Sequence, residues 1–161
     1  MNTKYQKVFI VSVLFIILIS WIGKASAFDE KIITVSANDP KGVVLKLPPG
    51  NYAAEVSGGA IALWGHGHPH YRWVYGLVVG TGVSGGTEEP NLGSLYVDPS
   101  PSAYTSGAAE NAVLEAVKKG EEGTLLNFTL KTDSEVRFWV SDFDYSDNEG
   151  QEKVRIYSVV K

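Results

Sequence analysis

Cysteine is absent from the chain, which excludes disulfides, thiolate-held zinc and a thiol nucleophile. Basic residues are few: 14 Lys and Arg stand against 18 Asp and Glu, and no stretch gathers them. Phosphate-rich partners need such clusters, so nucleic acid and anionic membrane are not expected partners. Histidine is limited to three residues, all between His66 and His70. Long apolar runs are missing as well, with one exception at the N-terminus.

That exception runs from Val8 to Ile22, broken only by Ser12 and Ser20, after Lys4 and Lys7 and before Lys24 and Ala25-Ser26-Ala27. A positive start, an apolar stretch and a small-x-small end are the order of a secretory signal peptide, with cleavage expected after Ala27. The competing reading is a retained anchor, since the run approaches the lower limit of about 17 residues for a spanning helix. The expected domains are therefore a signal peptide, 1–27, and one mature domain, 28–161, secreted or periplasmic. All the acids lie in the mature part with eleven of the basic residues, for a net charge of −7. Without disulfides its stability has to come from packing, hydrogen bonds and a bound ion if there is one.

Beyond Phe28, short apolar stretches are separated by Gly, Pro, Asn and Asp, the pattern of strands joined by turns. Strands are expected at Ile32 to Val35, Val43 to Leu47, Tyr52 to Val56, Ala60 to Trp64, Trp73 to Val79, Ser94 to Val97, Leu125 to Lys131, Val136 to Val140 and Val154 to Val160. Leu47-Pro48-Pro49-Gly50-Asn51 is a turn, because proline presets φ and glycine supplies a positive φ. Ala108 to Lys119 is the one helix, with Ala109, Ala112, Val113, Ala116 and Val117 on one face and Gly120 as its stop. This inventory predicts an all-β fold, an antiparallel β-sandwich of jelly-roll type with one short helix.

The segment richest in chemistry is Ser141-Asp142-Phe143-Asp144-Tyr145-Ser146-Asp147-Asn148-Glu149-Gly150. Its four acids repel one another at neutral pH unless water or a cation screens them. Calcium takes six to eight oxygens from carboxylates, amides and backbone carbonyls, which an irregular loop can present together. The loop is not an EF-hand, since Asp147 stands where glycine is required and Lys153 where the bidentate glutamate belongs. The other reading of the same residues is a solvated hairpin whose Asp and Asn side chains bond back to nearby backbone.

The order of an apolar strand, Asp142, a turn with an aromatic residue, Asp147-Asn148-Glu149-Gly150 and an alternating strand resembles the calcium loop of the PA-I type galactose-binding bacterial lectins, which are small jelly-roll proteins. Pro49-Gly50-Asn51, Ala62-Leu63-Trp64-Gly65 and Gly76-Leu77-Val78-Val79-Gly80 follow in the family's order. The resemblance implies calcium as cofactor, with side-chain oxygens from Asp142, Asp147 and Asn148 and backbone carbonyls from Asp144 and Trp64. It implies a carbohydrate partner, galactose-like, whose hydroxyls bind the ion directly, and it leaves a homo-oligomer open. His68-Pro69 resembles the family's sugar-contacting pair. Tyr71 stands where the family has Gln, and the acidic loop is about two residues shorter, so the resemblance does not fix galactose as the sugar.

All three histidines belong to Trp64-Gly65-His66-Gly67-His68-Pro69-His70-Tyr71-Arg72-Trp73. Imidazoles at alternate positions could converge on zinc, copper or nickel if the segment were extended, although Gly67 and Pro69 favour a loop. Read as a sugar site, His66 and His68 supply hydrogen bonds, and Trp64 and Tyr71 supply aromatic faces. Trp73 and Tyr75 are expected in the core instead. Gly80 to Gly86 lacks the lysine and the following helix of a phosphate loop, and no pair of acids can be assigned as glycosidase carboxylates. A non-catalytic binding module is expected, with an envelope adhesive or structural protein and a histidine-based transition-metal protein as the alternatives.

Overall fold

The computed structural model describes residues 28–64, 73–81, 92–97 and 105–159. The expected signal peptide lies outside them, and among the described residues no helix is long and apolar enough to cross a membrane. Among the described residues, eight strands and one helix follow in the order β1 (Lys31–Ser36), β2 (Val43–Leu47), β3 (Gly50–Ala62), β4 (Trp73–Thr81), β5 (Gly93–Val97), α1 (Ser106–Lys119), β6 (Leu125–Leu130), β7 (Ser134–Trp139) and β8 (Glu149–Ser158). All pairings are antiparallel: β1-β8-β3-β6 form one sheet and β2-β7-β4-β5 the other. The two join where Ile61 and Ala62 of β3 pair with Val74 and Trp73 of β4.

Alternation puts Ile33 and Val35 of β1, Leu45 and Leu47 of β2, Leu95 and Val97 of β5, Phe128 and Leu130 of β6, Val136 and Phe138 of β7, and Val154 and Ile156 of β8 into one core between the sheets. Each such side chain gains roughly 1.5–3 kcal/mol from leaving water, an upper figure because unfolded chains are already partly compact. The expected antiparallel sandwich with one helix is the fold observed.

The most informative differences in extent from the sequence expectation are in β3, β8 and α1. The two short strands expected on either side of Ser57-Gly58-Gly59 are one strand, β3, whose ladder with β8 shifts register between Val56 and Gly58. Glycines there make a bulge rather than a break. The last strand begins at Glu149 rather than Val154, because its polar first half pairs with Ala62 to Gly58. The helix starts earlier, at Ser106, with the Thr105 hydroxyl accepting from Ala108 N at 3.3 Å. At its far end Gly120 takes a left-handed conformation, φ 66°, that lets its N–H reach back to the last turn.

Helix α1 buries Ala109, Val113 and Ala116, and it packs mainly on β3. Glu110 Oε1 accepts from Gly59 N at 3.0 Å, so the helix ties down the bulge. Trp73 is half-buried against Ala60 and Ala109 in a second, smaller cluster rather than in the central core. The helix supplies an apolar surface that strand alternation alone could not reveal.

Candidate cation and ligand site

One end of the first sheet collects most of the residues singled out in the sequence. At this end β1 stops at Ser36, β3 at Ala62, and β8 begins at Glu149. Ala62 pairs with Glu149, so the last residue of β3 and the first of β8 are partners. Ala37 N donates to Gly150 O at 3.1 Å and closes the corner from the β1 side. Gly150 itself has φ 89°, and a Cβ there would meet Ala60 O at 2.3 Å and the Trp73 ring at 2.7 Å. The start of β8 is therefore held flush against β3 by a residue that only glycine can be without strain.

The loop that reaches this corner leaves β7 at Trp139 and crosses from the second sheet to the first. Tyr145 fastens its first half: the hydroxyl donates to Val140 O at 2.7 Å and lies 3.4 Å from Asp142 N, which donates to it. Asp142 Oδ1 accepts from Phe143 N at 2.6 Å. Asp144 Oδ1 accepts from both Ser146 N, at 2.9 Å, and Ser146 Oγ, at 2.6 Å. Those two bonds, the hydroxyl's first, hold the Asp144 carboxyl below its ordinary range. Asn148 fastens the second half, with Nδ2 donating to Ala37 O at 3.1 Å across the sheet end.

Two acceptors on this loop are left over. Asn148 is 5% exposed, and its Oδ1 is buried with no hydrogen-bond donor among the described residues. The amide cannot be turned to cure this, because Ala37 O only accepts and so requires the NH2 group. Asp142 Oδ2 is in the same condition. A buried acceptor without a donor costs about 1–3 kcal/mol, more when it carries charge. Oxygens of this kind fit a hard cation, which needs acceptors and no donors. Among the described residues no three His, Cys, Asp or Glu side chains gather as a metal group. A cation here would thus take at most two carboxylates and draw its other oxygens from Asn148 and the backbone.

Of the residues expected to hold calcium, Asp142, Asp147 and Asn148 lie on the connection into β8, and Trp64 lies two residues past the end of β3. The Asp144 side chain is engaged with Ser146, which leaves its backbone carbonyl as the group it could offer. His66, His68, His70 and Tyr71 lie outside the described residues, as does the side chain of Tyr75. Their flanks, Trp64 and Trp73, stand at the sheet end, next to the ends of β3 and β4.

Two residues matter here that the sequence did not mark. Tyr145 is the fastener of the loop, its hydroxyl bonded to both Val140 O and Asp142 N. Glu152 has no exposed surface; it occupies the inward position in phase with Val154 and Ile156, a phase readable in sequence once β8 is known to start at Glu149. A Gly-x-Ser-x-Gly pentapeptide at 82–86 also lies outside the described residues.

No protein-family model matches the chain, and no curated protein matches it. A solved structure described as "EclA N-terminal domain; PllA-like lectin" is similar at 13% identity with a TM-score of 0.35, over 80% of this chain and 95% of that one. A likeness at that level does not bear on what this chain binds.

Proposed function

We propose that this chain is an exported, non-catalytic carbohydrate-binding module whose ligand is held through a calcium ion at the Ser141–Asn148 loop. The observation that carries the reading is the pair of buried, donorless oxygens, Asp142 Oδ2 and Asn148 Oδ1, on a loop already fastened by Tyr145 and Ala37. Asp142, Asp147 and Asn148 supply side-chain oxygens, and Asp144 and Trp64 supply backbone carbonyls. Calcium keeps open coordination positions that sugar hydroxyls can fill in place of water. The acidic surface, the absence of thiols and the resemblance of the loop to galactose-binding lectins support the same reading. His66, His68 and Tyr71 are the proposed further sugar contacts. Export, to the periplasm or beyond, follows from the segment 1–27 and its cleavage.

The test is thermal unfolding of the purified protein in EDTA, in calcium, and in calcium with a galactose series. A ligand at one hundred times its dissociation constant stabilises by about 2.7 kcal/mol, which a melt resolves. A calcium shift with a further rise on adding sugar supports the reading. A calcium shift without any sugar effect leaves an ion-stiffened envelope protein. A response to zinc or copper alone moves the site to His66, His68 and His70.

A further inference from the structure

Phe143 is 98% exposed, the extreme among the large apolar side chains that the structure leaves in water. Its place is what makes the exposure informative. Its own N–H is bonded to Asp142 Oδ1 at 2.6 Å, and the other oxygen of that carboxylate is one of the two donorless acceptors. The backbone that carries the ring is therefore bonded directly to a carboxylate that would hold the ion. The backbone beneath it is fixed further by Tyr145, which bridges Val140 and Asp142, and by Asp144, which closes on Ser146. A loop whose backbone is fastened in advance has less to lose when something covers the ring it carries.

We infer that Phe143 is an aromatic platform that contacts the apolar C–H face of a sugar while its hydroxyls sit on the cation; this rests on the calcium-dependent reading of the loop. A sugar ring has hydroxyls on its edge and C–H groups on its face, so an ion and an exposed ring side by side match both. Coordination lengths of about 2.3–2.6 Å hold the hydroxyls close to the Asp142 carboxylate. The adjoining residue, with Cα atoms about 3.8 Å apart, is then in reach of the rest of the ring.

An anionic lipid surface is the competing occupant for an exposed aromatic residue. Phe143 stands between Asp142 and Asp144, and no Lys or Arg occurs from Ser141 to Glu149. One phenyl ring in an acidic setting lacks the basic flank that draws a protein to anionic lipid. A neutral polyol meets no such repulsion. The platform also predicts a preference: ligands that present a continuous C–H patch, or that carry an aryl aglycone, bind better than those whose faces are crowded with axial hydroxyls.

The experiment compares wild type, Phe143→Ala and Phe143→Tyr on an array of immobilised glycans, in calcium and in EDTA, with melts of each protein in the same buffers. Expected is a calcium shift in melting temperature that is the same in all three proteins, glycan binding by the wild type in calcium only, a loss of about five- to tenfold in affinity in Phe143→Ala, and recovery in Phe143→Tyr. Equal binding by Phe143→Ala overturns the platform while leaving the ion in place. A calcium shift with a blank array, and calcium-dependent sedimentation with phosphatidylserine vesicles that Phe143→Ala abolishes, overturns it in favour of a lipid wedge. No calcium shift in the wild type overturns the ion reading, and the platform with it.

Discussion

The two ends of the first sheet are closed in opposite ways. Where β3 begins, Tyr52 stacks on Phe128 with ring centroids 5.6 Å apart and meets the edge of Phe28 at 5.7 Å. Its hydroxyl donates to Pro48 O at 2.8 Å, and Val159 N donates to Asn51 O at 2.8 Å. Aromatic packing and short-range hydrogen bonds finish that end without outside help. Where β3 stops, the closure is polar, and two of its buried oxygens, on Asp142 and Asn148, have no donor. One end is complete as a piece of protein. The other leaves two buried acceptors unmet, and the proposed function puts a cation there because a functional site belongs where the chain's own groups do not suffice.

The sharpest way to break this comparison is to damage the packed end and ask whether the ion notices. Tyr52 is 2% exposed, and Tyr52→Ala removes both ring contacts and the bond to Pro48. The expected loss is about 3–5 kcal/mol by denaturant unfolding. It should be the same in EDTA and in calcium, because the two ends are at opposite ends of β3. A loss that depends on calcium would mean that the ends are coupled.

The second test acts on the polar end. Asn148→Ala removes the donorless oxygen together with the bond to Ala37 O. In EDTA the change should be within about 1 kcal/mol, since a lost hydrogen bond and the removal of a buried, unmet acceptor oppose each other. In calcium the variant should lack the gain of about 2.7 kcal/mol that the proposed function expects of the wild type at one hundred times the dissociation constant. A variant that keeps the full calcium gain would remove Asn148 from the site.

Gly150→Ala separates shape from chemistry at the same end. It leaves every proposed oxygen ligand in place, yet puts a Cβ where Ala60 O and the Trp73 ring already are, at a φ of 89°. A loss above about 1 kcal/mol is expected in both buffers. A weaker calcium shift on top of that loss would show that β8 has to lie flush against β3 for Asn148 to reach the ion.

How far the sequence revealed this depends on which physical signal each part carries. The strands with clean alternation, such as β2 and β5, were legible because burial on one face writes itself as a period of two. The first half of β8 was not, because Glu149 to Lys153 has no apolar alternation and its pairing partners, Ala62 to Gly58, are far away in sequence. The bulge in β3 looks like a break in the sequence, since glycine signals a departure from the ladder without saying how large. At the site, residue types gave Asp142, Asp147, Asn148 and Trp64 by resemblance. That Asp142 and Asn148 each keep a donorless buried oxygen, that Asp144 is turned to Ser146, and that Tyr145 is the fastener are tertiary facts with no sequence period.

The smallest expected effect returns to the packed end and uses pH in place of a cavity. Burial, with the nearby Asp133 charge adding to it, raises the Tyr52 hydroxyl above its ordinary value of 10.0. A raised folded value means that the unfolded chain releases the proton first. The stabilisation held in the neutral hydroxyl is then fully present below pH 10 and is lost as pH rises through the folded value. Tyr52→Phe keeps both ring contacts and removes only the hydroxyl. At neutral pH it should cost about 1 kcal/mol for the bond to Pro48 O, and the alkaline decline in stability should become shallower than in the wild type. Because the titrating group is at the far end from the ion loop, the calcium shift measured at pH 7 should be unchanged in this variant. An alkaline decline of equal steepness in both proteins would place the sensitive group elsewhere and weaken the claim that Tyr52 finishes this end.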